Sequence, residues 1–143
     1  SLLAPDLGKQ YQVKKICDEN NIDFFAYSPL SFGILCIDPD KEQNKEKSFI
    51  RNALFENYKK PTYELRRCLK RIANQRSVSQ AQVAINWCCY QGAIPLVGMR
   101  KKSQVIDVSN VFKWNLNKSE FKVLQELSKK CLKKMPKNPF SSI

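Results

Sequence analysis

The chain has 143 residues, 43% hydrophobic and 27% charged, which is the balance of one modest soluble domain with a core. Twenty-five Lys and Arg against 13 Asp and Glu leave a net charge of +12, a field that could steer nucleic acid, anionic lipid or a phosphorylated small molecule. No run reaches the length of a membrane span, the start lacks a basic leader region, and there is no histidine, so membrane insertion and imidazole chemistry are not expected.

The spacing of Val13, Ile16 and Cys17 predicts a helix over 9–20 with those three on one face. Residues 22–28 read as a strand, because Phe24, Phe25 and Ala26 form the continuous apolar run expected where both faces are buried. Pro29 lacks a backbone donor and stops it. Residues 36–47 are polar and charged around Asp38-Pro39-Asp40-Lys41-Glu42 and read as a long surface loop. A short helical piece with Phe49, Ile50, Ala53 and Leu54 follows. A second helix over 62–76 starts after Pro61 and turns Leu65, Cys68, Leu69, Ile72 and Ala73 to the core.

Ser79-Gln80-Ala81-Gln82 reads as a capping box that opens a helix to about Gln91, with Val83, Ala84, Trp87 and Cys88 inward and Gly92 at its end. Residues 93–97 form the second apolar strand, and a short helix over 103–110 follows the loop at Gly98. Asn117 to Glu120 cap the last helix, whose apolar side carries Phe121, Leu124, Leu127, Cys131 and Leu132. Pro136 and Pro139 mark an irregular tail.

Cys17, Cys36, Cys68, Cys88, Cys89 and Cys131 show no metal spacing and read as reduced thiols, buried at Cys17, Cys68 and Cys131. The neighbouring side chains of Cys88 and Cys89 diverge on a helix, so a disulfide between them is not expected. No metal site is expected, and the cytosol is the expected compartment. The lysines are scattered or sit near helix ends, as at Lys129, Lys130, Lys133 and Lys134, and no nucleic-acid motif accompanies them. Nucleic acid is therefore not expected as a partner.

Helices alternating with two strands argue for parallel βαβ units, an α/β class. Two strands cannot close a sheet or hide this many apolar faces, so the chain reads as part of something larger. Each strand opens into a loop with distinctive chemistry. After the first comes Tyr27-Ser28-Pro29-Leu30-Ser31-Phe32-Gly33-Ile34-Leu35; after the second come Gly98, Arg100, Gln104 and Asp107. A planar tyrosine at a strand end can stack on an aromatic ring. A serine and a glycine-bearing backbone can donate to phosphates. An arginine fork suits a phosphate ester, and Gln104 and Asp107 share one helical face.

These two segments resemble the C-terminal part of the aldo-keto reductase family, a (β/α)8 TIM barrel that uses NADPH. The first matches aromatic-Ser-Pro-Leu-x-x-Gly-x-Leu throughout. The second matches Gly-x-Arg/Ser-x-x-x-Gln-x-x-acidic-Asn, with Val108 in place of the Asn. Ser79 to Trp87 resembles the helix between them, and Ser1-Leu2-Leu3 resembles the stretch after the sixth strand. The resemblance runs from Ser1 to about Leu127.

It implies that residues 1–143 are the C-terminal portion of the barrel, from after strand 6 to the last helix and tail, with the N-terminal half absent. It also implies that the whole protein reduces an aldehyde or ketone with NADPH. Tyr27, Ser28, Pro29, Leu30, Gly33, Leu35, Gly98, Arg100, Gln104 and Asp107 would contact the cofactor. Tyr27 would stack on the nicotinamide, Ser28 and the backbone of 30–33 would hold the pyrophosphate, Arg100 the 2′-phosphate, and Gln104 and Asp107 the adenosine. Arg51 is a further candidate phosphate contact. Ile37-Asp38 stands where the family often has Lys-Tyr, so a basic clamp is replaced by an acid.

The family's Asp, Tyr, Lys and His acid–base set belongs to the N-terminal half. No catalytic residue is therefore assigned, and the chain alone is expected to be inactive and to pair with the missing half or with itself. Two other readings stand beside this one. Potassium-channel β subunits share the fold and hold nucleotide as regulatory partners, but carry Trp at the Tyr27 position and a small residue at the Arg100 position. A basic interaction domain driven by net charge ranks third.

Overall fold

The computed structural model describes residues 1–3, 9–41 and 49–134. Its elements run in the order α1 (Lys9–Glu19), β1 (Phe25–Ala26), a 3₁₀ segment Ser31–Cys36, α2 (Phe49–Arg76), α3 (Gln80–Tyr90), β2 (Ile94–Pro95), α4 (Lys102–Ser109), a 3₁₀ turn Val111–Lys113 and α5 (Lys118–Lys133). Residues 42–47 of the charged loop, and Pro136 and Pro139, lie outside the described residues, as do the side chains of Phe49, Ile50, Arg51, Ala53 and Leu54.

The core lies where α2, α3 and α5 meet. Leu65, Leu69 and Ile72 of α2, Val83, Ala84 and Trp87 of α3, and Leu124 of α5 are all buried. Leu2, Leu3, Ile34 and Leu35 pack into the same cluster, so the segment after β1 is anchored by two of its own side chains. The predicted apolar faces of these three helices are the faces that pack. Ser79 caps α3 by accepting from the Gln82 amide, and Gly92, at φ 71°, leaves the helix in a left-handed turn. Asn117 and Glu120 complete a reciprocal cap at α5.

The capping box expected at Ser79 is only half formed. The Gln82 side chain does not reach back to the start of α3; it donates to Asp107 and accepts from the Trp114 indole. Nor does Pro61 begin a new helix, since α2 runs through it from Phe49 to Arg76. Pro61 removes one backbone donor, and side chains serve the carbonyls of the preceding turn. Thr62 Oγ1 donates to the Tyr58 carbonyl at 2.6 Å, and Arg66 Nη2 donates to the Lys59 carbonyl at 2.8 Å.

β1 and β2 pair in parallel, with Phe25 opposite Ile94 and Ala26 opposite Pro95. Both are shorter than the apolar runs suggest. Phe25 and Ile94 are 53% and 41% exposed, and Tyr27 and Leu96, two residues on and on the same face, are 59% and 53% exposed. The run at Phe24 to Ala26 is thus apolar on both sides, but only one side is covered among the described residues. The predicted face of α1 is likewise open, with Val13 and Ile16 about half exposed.

All six cysteines are unpaired. Cys68, Cys88 and Cys131 are buried and Cys17 is half-buried. Burial pushes the Cys88 and Cys131 thiols up to about 11.

Candidate functional site: a cleft between two strand-end loops

Both strand-end loops meet in one cleft of about 660 Å³. Ser28, Pro29, Leu30 and Gly33 line one wall, and Gly98, Arg100 and Gln104 line the other. Seven of the ten sequence-predicted contacts are thereby brought together, from segments separated by the whole of α2 and α3. Parallel strand pairing does this, because it puts the C-terminal ends of β1 and β2 side by side.

The first wall is built from an uncommon backbone. Ser28, Ser31, Phe32 and Gly33 have φ values of 47°, 49°, 56° and 97°, all in the left-handed region. Only glycine adopts that region freely, and each other residue held there costs of order 1 kcal/mol. The Ser31 amide donates to the Ser28 carbonyl and the Gly33 amide to the Leu30 carbonyl, both at 2.9 Å. These two N–H groups are committed to the loop itself, so the loop's offer to an anion is narrower than the sequence suggests.

The second wall is set by α4. Gln104 Oε1 accepts from the Arg100 amide at 2.8 Å and the Lys101 amide at 3.0 Å, which fixes the backbone on which Arg100 rides. Arg100 is exposed, and its guanidinium has no partner among the described residues. A Cβ on Gly98 would meet nothing within 4 Å. Its bare Cα therefore leaves open space in the cleft, as a site for close backbone approach requires.

Three of the ten lie elsewhere. Tyr27, next in sequence to Ser28, is not among the lining residues and is largely exposed. Leu35 is fully buried in the core and holds the loop from below. Asp107 turns toward α3: its carboxylate accepts from the Ser79 hydroxyl at 2.6 Å and from Gln82 Nε2 at 2.7 Å. It bolts α4 to α3.

Lys101, Phe32, Cys36 and Ile37 also line the cleft and were not singled out from sequence. The Arg100-Lys101-Lys102 basic run could have indicated Lys101; Phe32 occupies a variable position of the motif and Cys36 lies just beyond it, so neither carries such a signal.

Uncommitted Arg100, neighbouring Lys101, the start of α4 and the space over Gly98 suit a phosphorylated ligand. Among the described residues, no group of three or more Cys, Asp or Glu is placed to hold a metal. No helix among them is long and apolar enough to cross a membrane.

Comparison with known proteins identifies the family. The chain is 34% identical over 143 residues to a chloroplastic pyridoxal reductase of Arabidopsis thaliana, covering 99% of this chain and 38% of that protein. It is 28% identical over 120 residues both to Protein REDOX 2 of Catharanthus roseus and to rhazimal reductase 2 of Alstonia scholaris, in each case covering 83% of this chain and 30% of the relative. The chain thus spans about a third of the length of these relatives. Because the Aldo/keto reductase family model matches residues 3–129, most of its length, the chain belongs to that family.

Proposed function

We propose that this chain supplies the cofactor-binding part of an NADPH-dependent reductase of aldehydes or ketones. The observation that carries the reading is the convergence of the Ser28–Gly33 loop and the Gly98–Gln104 segment on one cleft. Bound NADPH supplies a hydride to a carbonyl carbon. In this reading the exposed Tyr27 ring stacks on the nicotinamide and leaves one face free for substrate. The Ser28 hydroxyl donates to the pyrophosphate. Arg100 forks onto the 2′-phosphate, and Gln104, whose Oε1 is spent on the Arg100 and Lys101 amides, offers its Nε2 to the adenosine. Leu35 and Asp107 act one step removed, by holding the two walls in place.

Proton transfer to the product oxygen needs an acid that this chain does not assign. We place the Asp, Tyr, Lys and His set on the remainder of the barrel, so the chain by itself binds and does not reduce. The open face of Phe25, Ile94 and Leu96 is the surface that the N-terminal half, or failing that a second copy, covers. The unpaired thiols fit a reducing compartment such as the cytosol, although the Arabidopsis relative is chloroplastic by name.

Calorimetric titration of the purified chain with NADPH and with NADH tests the reading. NADPH is expected to bind more tightly, and Arg100→Ala to weaken NADPH by about tenfold, the worth of one charge-assisted hydrogen bond, while leaving NADH unchanged. Absence of NADPH binding, or a preference untouched by Arg100→Ala, overturns it.

A further inference from the structure

The strained wall of the cleft is held from behind by side chains that no motif marks. Beyond the two core anchors, Ile34 and Leu35, the backbone carbonyls at the end of the loop are met by donors from two helices. Gln80 Nε2, in the first turn of α3, lies 3.2 Å from the Leu35 carbonyl and 3.4 Å from the Ile37 carbonyl. Arg66 Nη1, from α2, reaches the same Ile37 carbonyl at 3.5 Å. One residue later, Lys70 Nζ bonds Asp38 at 2.7 Å and Asp40 at 2.9 Å.

Arg66 is the unusual member. It is 3% exposed, and among the described residues all its hydrogen-bond acceptors are neutral: Thr62 Oγ1 at 3.1 Å, the Lys59 carbonyl at 2.8 Å and the Ile37 carbonyl. Burying a guanidinium with no carboxylate hydrogen-bonded to it is costly, even with the Asp38 charge near enough to act on it, and an apolar side chain would fill the same volume more cheaply. What the guanidinium does, and an apolar group could not, is tie two irregular backbones together: the turn of α2 opened by Pro61 and the end of the cleft loop. Residues forced into left-handed φ persist only where their surroundings over-determine them, and this is such a surrounding.

We propose that Arg66 and Gln80 are positioning residues for the nucleotide loop, holding Leu35 to Ile37 so that Ser28 to Gly33 keep their binding shape. The assignment rests on the cleft being the NADPH site. Neither side chain touches the ligand in this scheme; each acts through the loop carbonyls.

Arg66→Met and Gln80→Met keep length and helix propensity but remove the donors; Arg66→Lys keeps the charge and loses the fork. Two readouts are taken on the folded chain well below its unfolding midpoint: NADPH affinity, and amide hydrogen exchange of residues 31–37 compared with α5. Each Met variant is expected to speed exchange in 31–37 selectively and to weaken NADPH by about tenfold, as when the competent loop falls to about a tenth of the population. Arg66→Lys is expected to fall between wild type and Arg66→Met. A merely structural role would lower the midpoint and raise exchange evenly while leaving affinity alone, and that result overturns the assignment. If wild type binds no NADPH, the reading of the cleft fails, and the nucleotide role of this pair with it. If wild type binds but exchange in 31–37 does not change in the variants, only the positioning role fails.

Discussion

Replacing Asp107 with alanine separates two roles for this carboxylate. Read from sequence, Asp107 contacts adenine; in the structure it accepts from Ser79 and Gln82 and ties α4 to α3. The cost of its removal follows from what it leaves behind. Gln82 is 4% exposed, and its Oε1 is held by the Trp114 indole at 3.1 Å, so the amide cannot turn to find another partner for Nε2. A buried donor left without an acceptor costs about 1–3 kcal/mol. The Ser79 hydroxyl is only half-buried and keeps its bond from the Gln82 amide, so it adds little. Asp107→Ala should therefore destabilise the chain by about 2 kcal/mol, a fall of about 4–8 °C in Tm at this chain length. Asp107→Asn, which keeps the volume and one acceptor oxygen, should cost about half as much. Urea unfolding followed at 222 nm measures both. An unchanged midpoint together with a loss of NADPH affinity in Asp107→Ala would refute the bolt and restore the adenine contact.

Leu69 is fully buried at the centre of the cluster of α2, α3 and α5, so Leu69→Ala should lower stability by about 2–5 kcal/mol with an unchanged denaturant slope. The acid limb of stability should depend on Glu120. Burial pushes its carboxyl up, but hydrogen bonds from Arg76 and the Asn117 amide, with the Arg76 charge beside it, outweigh burial and hold it below the ordinary carboxylate range. Its contribution is then fully present above about pH 4.3, the unfolded value, and is lost as pH falls through the lower folded value. Urea midpoints measured from neutral pH downward should show a shallower acid limb in Glu120→Gln; an identical limb would refute this.

What could be read from the sequence was local. Helical periodicity at Leu65, Leu69 and Ile72, the caps at Ser79 and Asn117, and the two strand-end loops all depend on near neighbours, and each was found where its pattern put it. The failures are all questions of what lies opposite. Phe24 to Ala26 has the composition of a strand buried on both faces, but composition does not say whether a second layer is present, and Phe25 is open. Pro61 ordinarily ends a helix; α2 continues because Thr62 and Arg66 serve the carbonyls of the turn that Pro61 disturbs. Asp107 stands one turn beyond Gln104 on α4, but helical spacing does not reveal that α3 offers it two donors. Arg66 and Gln80 read as an ordinary helical cation and amide, because the loop carbonyls they reach are 29 and 43–45 residues away in sequence.

The central claim is that the cleft between the two strand-end loops takes the dinucleotide. Backbone amide chemical shifts of the ¹⁵N-labelled chain, followed during titration with NADPH, test it most directly. The account predicts that the resonances which move cluster at Ser28 to Gly33 and Gly98 to Gln104, while those of α5 stay in place. Shifts that cluster instead on the basic outer surface of α2, around Arg67, Lys70 and Arg71, would mean that the net charge and not the cleft recruits the nucleotide, and would contradict it.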